Sequence, residues 1–275
     1  MKRNLSAIKN IGWALGILLC LLALFVALVV AAILPGPEEL DRGGVDLNNL
    51  DLRPANQSSQ TVEEEPLGDL LVLGESADAG QGYIDALTFL VDSSAIGLRD
   101  YALLSGGTGT SQVWGSSAGN IPAGDLLNCR IRFPEDGTEI SPIEAASRTQ
   151  PSRLVIILGS DGLDDVDEER FVQGYVDLIK GIRLASPNTV IIVCSVSSVG
   201  TSYSGVDGVN ANTIRTVNTW IQTVCRRTGA YYCDSASAVN DRAGWLDVSY
   251  AAVNGKSLNT AGLQRILEYL RSHAI

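Results

Sequence analysis

The chain has 275 residues, 45% of them hydrophobic and 19% charged, and a formal net charge of −11. That balance excludes a chain disordered throughout, and its acidity argues against nucleic-acid binding, which needs basic faces. One His and five Cys leave too few soft ligands at useful spacing for a zinc site. The single His, His273, limits every mechanism that needs an imidazole.

Lys2, Arg3 and Lys9 precede an uncharged run from Asn10 to Pro37, within which Ile11 to Leu34 is almost wholly apolar. At 1.5 Å rise per residue such a run spans a bilayer core of about 30 Å. It is longer than the apolar region of a signal peptide, and it ends in Ile33-Leu34-Pro35-Gly36-Pro37 rather than in small residues of a cleavage site. The expectation is an uncleaved anchor. Residues 1–10 lie in the cytoplasm, 11–34 form a transmembrane helix, and the positive-inside bias places everything beyond outside the cell membrane, as a single-pass protein. All 31 acids follow the run, which favours solubility and disfavours lying flat on anionic lipid. Residues 35–67 are rich in Asp, Glu, Asn, Ser and Gln without apolar periodicity, and read as a solvated linker.

Residues 68–275 read as one folded domain. Four apolar runs, Leu87–Val91, Arg153–Leu158, Thr189–Cys194 and Ala230–Cys233, are apolar on both faces, as buried parallel strands are. Three stripes at helical spacing lie between and after them. The first is Phe171, Tyr175, Leu178, Ile179 and Ile182; the second Ile214, Val217, Ile221 and Val224; the third Leu263, Ile266, Leu267 and Leu270, with Asn259 or Thr260 as its cap. Alternating strands and helices predict right-handed crossovers and a three-layer α/β/α sandwich.

Ligands of such sheets bind beyond the carboxyl ends of the strands. Three polar clusters fall there: Val91-Asp92-Ser93-Ser94, Gly159-Ser160-Asp161-Gly162, and Asn254-Gly255-Lys256-Ser257 before the last helix. The stretches FLVDSSAIGL, VIILGSDGLDDVDEERFVQGYVDLIKGIRLASPNTVIIVCSV and NGKSLNTAGLQRILEYLRSHA, in that order and spacing, resemble the SGNH (GDSL-type) hydrolases, above all the membrane-anchored versions of Gram-positive bacteria. The resemblance runs from about Gly68 to Ala274 and implies a flavodoxin-like parallel sheet of about five strands. It implies that Ser93, preceded by Asp92, stands at the nucleophile position. It places Asp161, next to Gly159, where the family has an oxyanion-hole Asn. Asn254 and Ser257 stand where it has the Asp and His of its triad. A backbone N–H for the oxyanion is implied in QVWGSSAGN, from Gly115 or Gly119.

These departures have chemical consequences. A serine hydroxyl needs a base to take its proton, and His273 lies two residues from the chain end, away from the base position. An ionised carboxylate at Asp161 repels a developing oxyanion. Lys256 neighbours the missing imidazole; in an extended segment it points away from Ser257, and the expectation is a solvated loop residue. The resulting expectation is a catalytically impaired domain that keeps its cleft for a cell-wall or surface polysaccharide or a partner. The alternative is an active serine esterase or deacetylase on acylated cell-surface polysaccharide, and a third reading is a purely structural scaffold.

No cofactor motif is present. The acids at 161–169 lack the glycine turn and terminal acid of a calcium loop, so no metal is expected. Trp114 is expected to line the cleft and Trp220 to be packing. A local bridge between Cys225 and Cys233 is also expected.

Overall fold

A computed structural model describes residues 67–205 and 208–275. The anchor expected at 11–34 lies outside the described residues, among which no helix is long and apolar enough to cross a membrane.

Among the described residues, eight strands and six α-helices follow in the order β1 (Leu71–Val72), α1 (Gly80–Asp85), β2 (Leu87–Val91), α2 (Gly97–Asp100), β3 (Val113–Trp114), β4 (Ile131–Arg132), β5 (Glu139–Ile140), α3 (Pro142–Thr149), β6 (Arg153–Ile157), α4 (Glu168–Ala185), β7 (Val190–Cys194), α5 (Ala211–Thr228), β8 (Tyr231–Cys233) and α6 (Thr260–Arg271). Six strands form one sheet in the order β1-β8-β7-β6-β2-β3, every pair parallel. Without the two-residue β1, the order is that of a flavodoxin-like doubly wound sheet. β4 and β5 pair separately as an antiparallel ribbon.

The central strands divide their side chains between two cores with a period of two. Leu90, Leu154, Ile156, Ile191 and Val193 face one side, where α4 and α5 bring Phe171, Tyr175, Ile182, Ile214, Val217 and Ile221. Phe89, Val91, Val155, Ile157, Ile192 and Cys194 face the other, against Leu263, Ile266 and Leu270 of α6. Helices on both faces hide both sides of the sheet, which is why its strands carry no polar alternation. This partition also corrects the expected Cys225–Cys233 bridge. Cys225 belongs to the α5 side and Cys233 to the α6 side, and both are buried free thiols.

Local chemistry sets the helix starts. Asp167 accepts from Arg170 N at the head of α4. Asn210 and Thr213 make a capping box on α5, and Asn259 accepts from Gly262 N on α6. Each satisfies N–H groups that no carbonyl of the helix can reach.

β6 turns out of the sheet at Gly159, whose φ is +127°. A Cβ there would stand 2.9 Å from Val217 Cγ1 and 3.3 Å from Phe171 Cζ. Gly159→Ala is therefore expected to destabilise the domain by about 2–4 kcal/mol, combining backbone strain with overpacking. Urea unfolding measures it; a loss below about 0.5 kcal/mol, the range of an ordinary surface substitution, contradicts it.

Candidate active site

The turn after β2 carries Asp92, Ser93 and Ser94. Asp92 is fully buried and ties this turn to the one after β6. One of its oxygens accepts from Ser94 N and Ser94 Oγ at 3.0 and 2.7 Å. The other accepts from Gly159 N and Ser160 N at 2.9 and 2.7 Å. Burial, followed by the nearby Asp161 carboxylate, pushes its pKa up to about 6 against the pull of these hydrogen bonds.

Ser93 stands beside this anchor, half-buried. Its hydroxyl donates to Asp161 Oδ1 at 2.5 Å and its backbone N–H to Asp161 Oδ2 at 3.0 Å. Asp161 Oδ2 also accepts from Ile121 N at 3.0 Å, and Asp161 Oδ1 from Lys256 Nζ at 2.5 Å. The Asp161 backbone is held as firmly, since its carbonyl accepts from Ala123 N at 2.8 Å and it bridges Pro122. Four donors thus end on one carboxylate from a residue only 3% exposed.

The segment before α6 closes the site. Asn254 Oδ1 accepts from Lys256 N and Ser257 N, and Gly255 sits at φ +69°. Asn254 Nδ2 donates to Ser257 Oγ at 3.0 Å, which itself donates to Ser93 O at 2.9 Å. The structure therefore brings Ser93, Asp161, Asn254 and Ser257 together, as the strand-end reading places them. It moves Lys256 out of solvent and into the site, with its side chain 14% exposed. The segment is a tight turn rather than extended, so Lys256 reaches Asp161 while Ser257 reaches Ser93. The Asn-Gly pair is the sequence signal for that turn.

Other residues lie elsewhere than expected. Gly119 N donates to Ser116 O, and the N–H that reaches the site from this segment is Ile121's, a residue that composition gives no reason to single out. Gly115 lies beneath Ile96, whose Cδ1 a Cβ at 115 would strike; its carbonyl accepts from Arg132 N. Trp114 is 1% exposed and belongs to the core, because its strand pairs with β2 as the edge of the sheet and its ring packs on the α4–α5 side. Trp220 packs on Phe171 with ring centroids 5.5 Å apart. His273 stacks on Tyr269 at 3.8 Å, and its Nδ1 lies 2.9 Å from Tyr269 O. It sits at the far end of α6, whose 12 residues span about 18 Å, whereas the head of α6 adjoins the site.

A serine at the carboxyl edge of a flavodoxin-like sheet, with three further polar positions around it, is the layout of an SGNH hydrolase-like domain. The model of the GDSL-like lipase/acylhydrolase family matches residues 101–271, and the chain belongs to that family. Asp92 and Ser93 precede the matched span. No curated protein matches. Among solved structures, a peptidoglycan O-acetylesterase is 19% identical with a TM-score of 0.41, over 47% of this chain and 38% of its own. A candidate platelet activating factor from Streptococcus pneumonia is 17% identical with a TM-score of 0.50, over 68% of this chain and 82% of its own. A GDSL-like lipase from Bacteroides thetaiotaomicron is 15% identical with a TM-score of 0.45, over 67% of this chain and 84% of its own. At these identities the likeness concerns the fold, and the chain spans well under half of the O-acetylesterase.

Proposed function

We propose that this chain is a membrane-tethered, outward-facing GDSL-like domain that has lost acyl hydrolysis and works by binding a cell-envelope glycan or a partner. The anchor of this reading is the run 11–34, followed by the acidic linker 35–67. The observation that carries it is the Asp161 carboxylate seated on Ser93 N and Ile121 N. Ester hydrolysis places negative charge where fixed donors can meet it. Here the donors already hold a negative charge.

The base is missing as well. Lys256 pairs with Asp161 as an ammonium, which has donors and no lone pair to accept the Ser93 proton. Asp161 faces the Ser93 hydroxyl, and its lone pairs are committed to four donors. Neither group performs the task of an imidazole held by a carboxylate.

The test is hydrolysis of a small aryl acetate by the full chain in detergent. Wild type and Ser93→Ala are expected to turn over at equal background rates, and a fluorophosphonate probe to label neither. A rate at least tenfold above the Ser93→Ala background establishes instead a serine esterase or deacetylase acting on acylated surface polysaccharide. Binding is read on an array of acylated and free envelope glycans; absence of any signal, with no partner recovered by cross-linking, favours the scaffold reading.

A further inference from the structure

Four chain segments converge on the Asp161 side chain: the turn after β2 through Ser93, the stretch after β3 through Ile121, the turn after β6 that carries Asp161, and the turn before α6 through Lys256. Fixed backbone N–H groups and a cation aimed at one point are what an anion-binding pocket consists of. In this chain the anion is its own. We propose that Ser93 N–H, Ile121 N–H and Lys256 Nζ form a carboxylate-binding pocket whose resident ligand is the Asp161 side chain, and that a small free carboxylate takes its place when that side chain is cut back to Cα.

The backbone of the pocket walls does not depend on the carboxylate they hold. Ser93 is fixed by its neighbour Asp92, which has four donors of its own, and by Ser257 Oγ on its carbonyl. Ile121 is fixed by its neighbour Pro122, which bridges the Asp161 backbone. The Lys256 backbone is placed by the Asn254 turn, and its ammonium reaches the pocket by pairing with the anion there. Both Asp161 oxygens are occupied. One takes two backbone N–H groups at 3.0 Å each, and the other takes the Ser93 hydroxyl and the Lys256 ammonium at 2.5 Å each. Removing the whole side chain leaves those donors facing a space of two carbons and two oxygens, the size of acetate. Asp92 cannot substitute as counter-ion to Lys256, because its oxygens are already taken.

In the intact chain the pocket is filled from within. Free carboxylates and anionic intermediates find no donors there, so recognition of an outside ligand uses other groups. This inference shares residues with the proposed function but uses a separate readout. Ser93-dependent turnover overturns the proposed function and leaves the anion pocket standing. Failure of the binding test below does the reverse.

The experiment is thermal unfolding of the full-length Asp161→Gly variant in detergent, with sodium acetate against sodium chloride at equal ionic strength and with acetamide as the neutral isostere. Acetate at about ten times its Kd is expected to raise the Tm of the variant by roughly 3–6 °C. Chloride and acetamide are expected not to raise it, and the wild type is expected not to respond to acetate. Adding Lys256→Met to the variant is expected to abolish the acetate response. Equal effects of acetate and chloride, or equal effects of acetate and acetamide, overturn the proposal, as does an acetate response that survives Lys256→Met. If Asp161→Gly is recovered only as aggregate, refolding yield in acetate against chloride is the readout, and equal yields overturn the proposal.

Discussion

Replacing Asp92 by alanine is expected to lower the stability of the domain by about 3–5 kcal/mol at pH 5, the range for stranding several buried donors at about 1–3 kcal/mol each. The side chain is fully buried, so no water replaces it. Its loss strands Gly159 N–H and Ser160 N–H, which it holds at 2.9 and 2.7 Å, and releases the Ser94 turn. These are the contacts that set the end of β2 against the end of β6, so the damage falls on the frame of the site itself. The pH dependence has a definite sign. Burial and the Asp161 carboxylate raise the native pKa of Asp92 to about 6, above the roughly 3.9 of an unfolded chain. Between those values the native state keeps a proton that the unfolded state has shed. Stability from this group is full below the unfolded pKa and falls as pH rises through about 6. The substitution therefore costs more at pH 5 than at pH 7. Urea unfolding of wild type and variant at both pH values measures the difference, and a cost that is equal or larger at pH 7 contradicts the assignment.

The main strands and long helices are legible because each is an apolar run with one period. β2 coincides with the predicted Leu87–Val91, and Asn259 caps α6 as its position before the Leu263 stripe suggests. The two-residue strands β1, β3, β4 and β5 are too short to show any period, so the sixth strand of the sheet and the separate ribbon are not legible. The convergence of the three polar clusters follows from the strand-end rule, and the choice of Ser93, Asp161, Asn254 and Ser257 within them is what the family resemblance implies. What that rule lacks is direction within a turn. Lys256 was expected to be solvated on the premise of an extended chain, whereas Asn254 folds the segment on itself and swings the ammonium onto Asp161. Trp114 fails in the opposite sense. Sequence gives no means to see that its strand pairs with β2 and takes the ring into the core.

Combining Asp161→Asn, Asn254→Asp and Ser257→His is expected to create Ser93-dependent hydrolysis of a small aryl acetate, at least about 10³-fold above the same chain carrying Ser93→Ala. The geometry supplies three reasons. The turn that presents positions 254 and 257 survives, because a carboxylate accepts from Lys256 N and Ser257 N as the Asn254 amide oxygen does. The two side chains already face each other at 3.0 Å, and the second reaches Ser93 O at 2.9 Å, so an imidazole there, oriented by its new carboxylate, extends toward the Ser93 hydroxyl. Neutralising Asp161 removes the anion from Ser93 N–H and Ile121 N–H and leaves Lys256 beside them to face the developing charge. A general base contributes on the order of 10²–10⁴ and an oxyanion donor about 10²–10³, so each part alone is expected to fall short. Asp161→Asn alone has no base, and the 254/257 pair alone works against a filled pocket at a rate about 10²–10³ below the triple variant. The new activity should rise with pH through about 6.5 as the imidazole loses its proton. A triple variant with wild-type Tm that remains inert would mean that Asp161, Asn254 and Ser257 do not occupy the positions from which the chemistry was lost, and the proposed function would lose its structural basis.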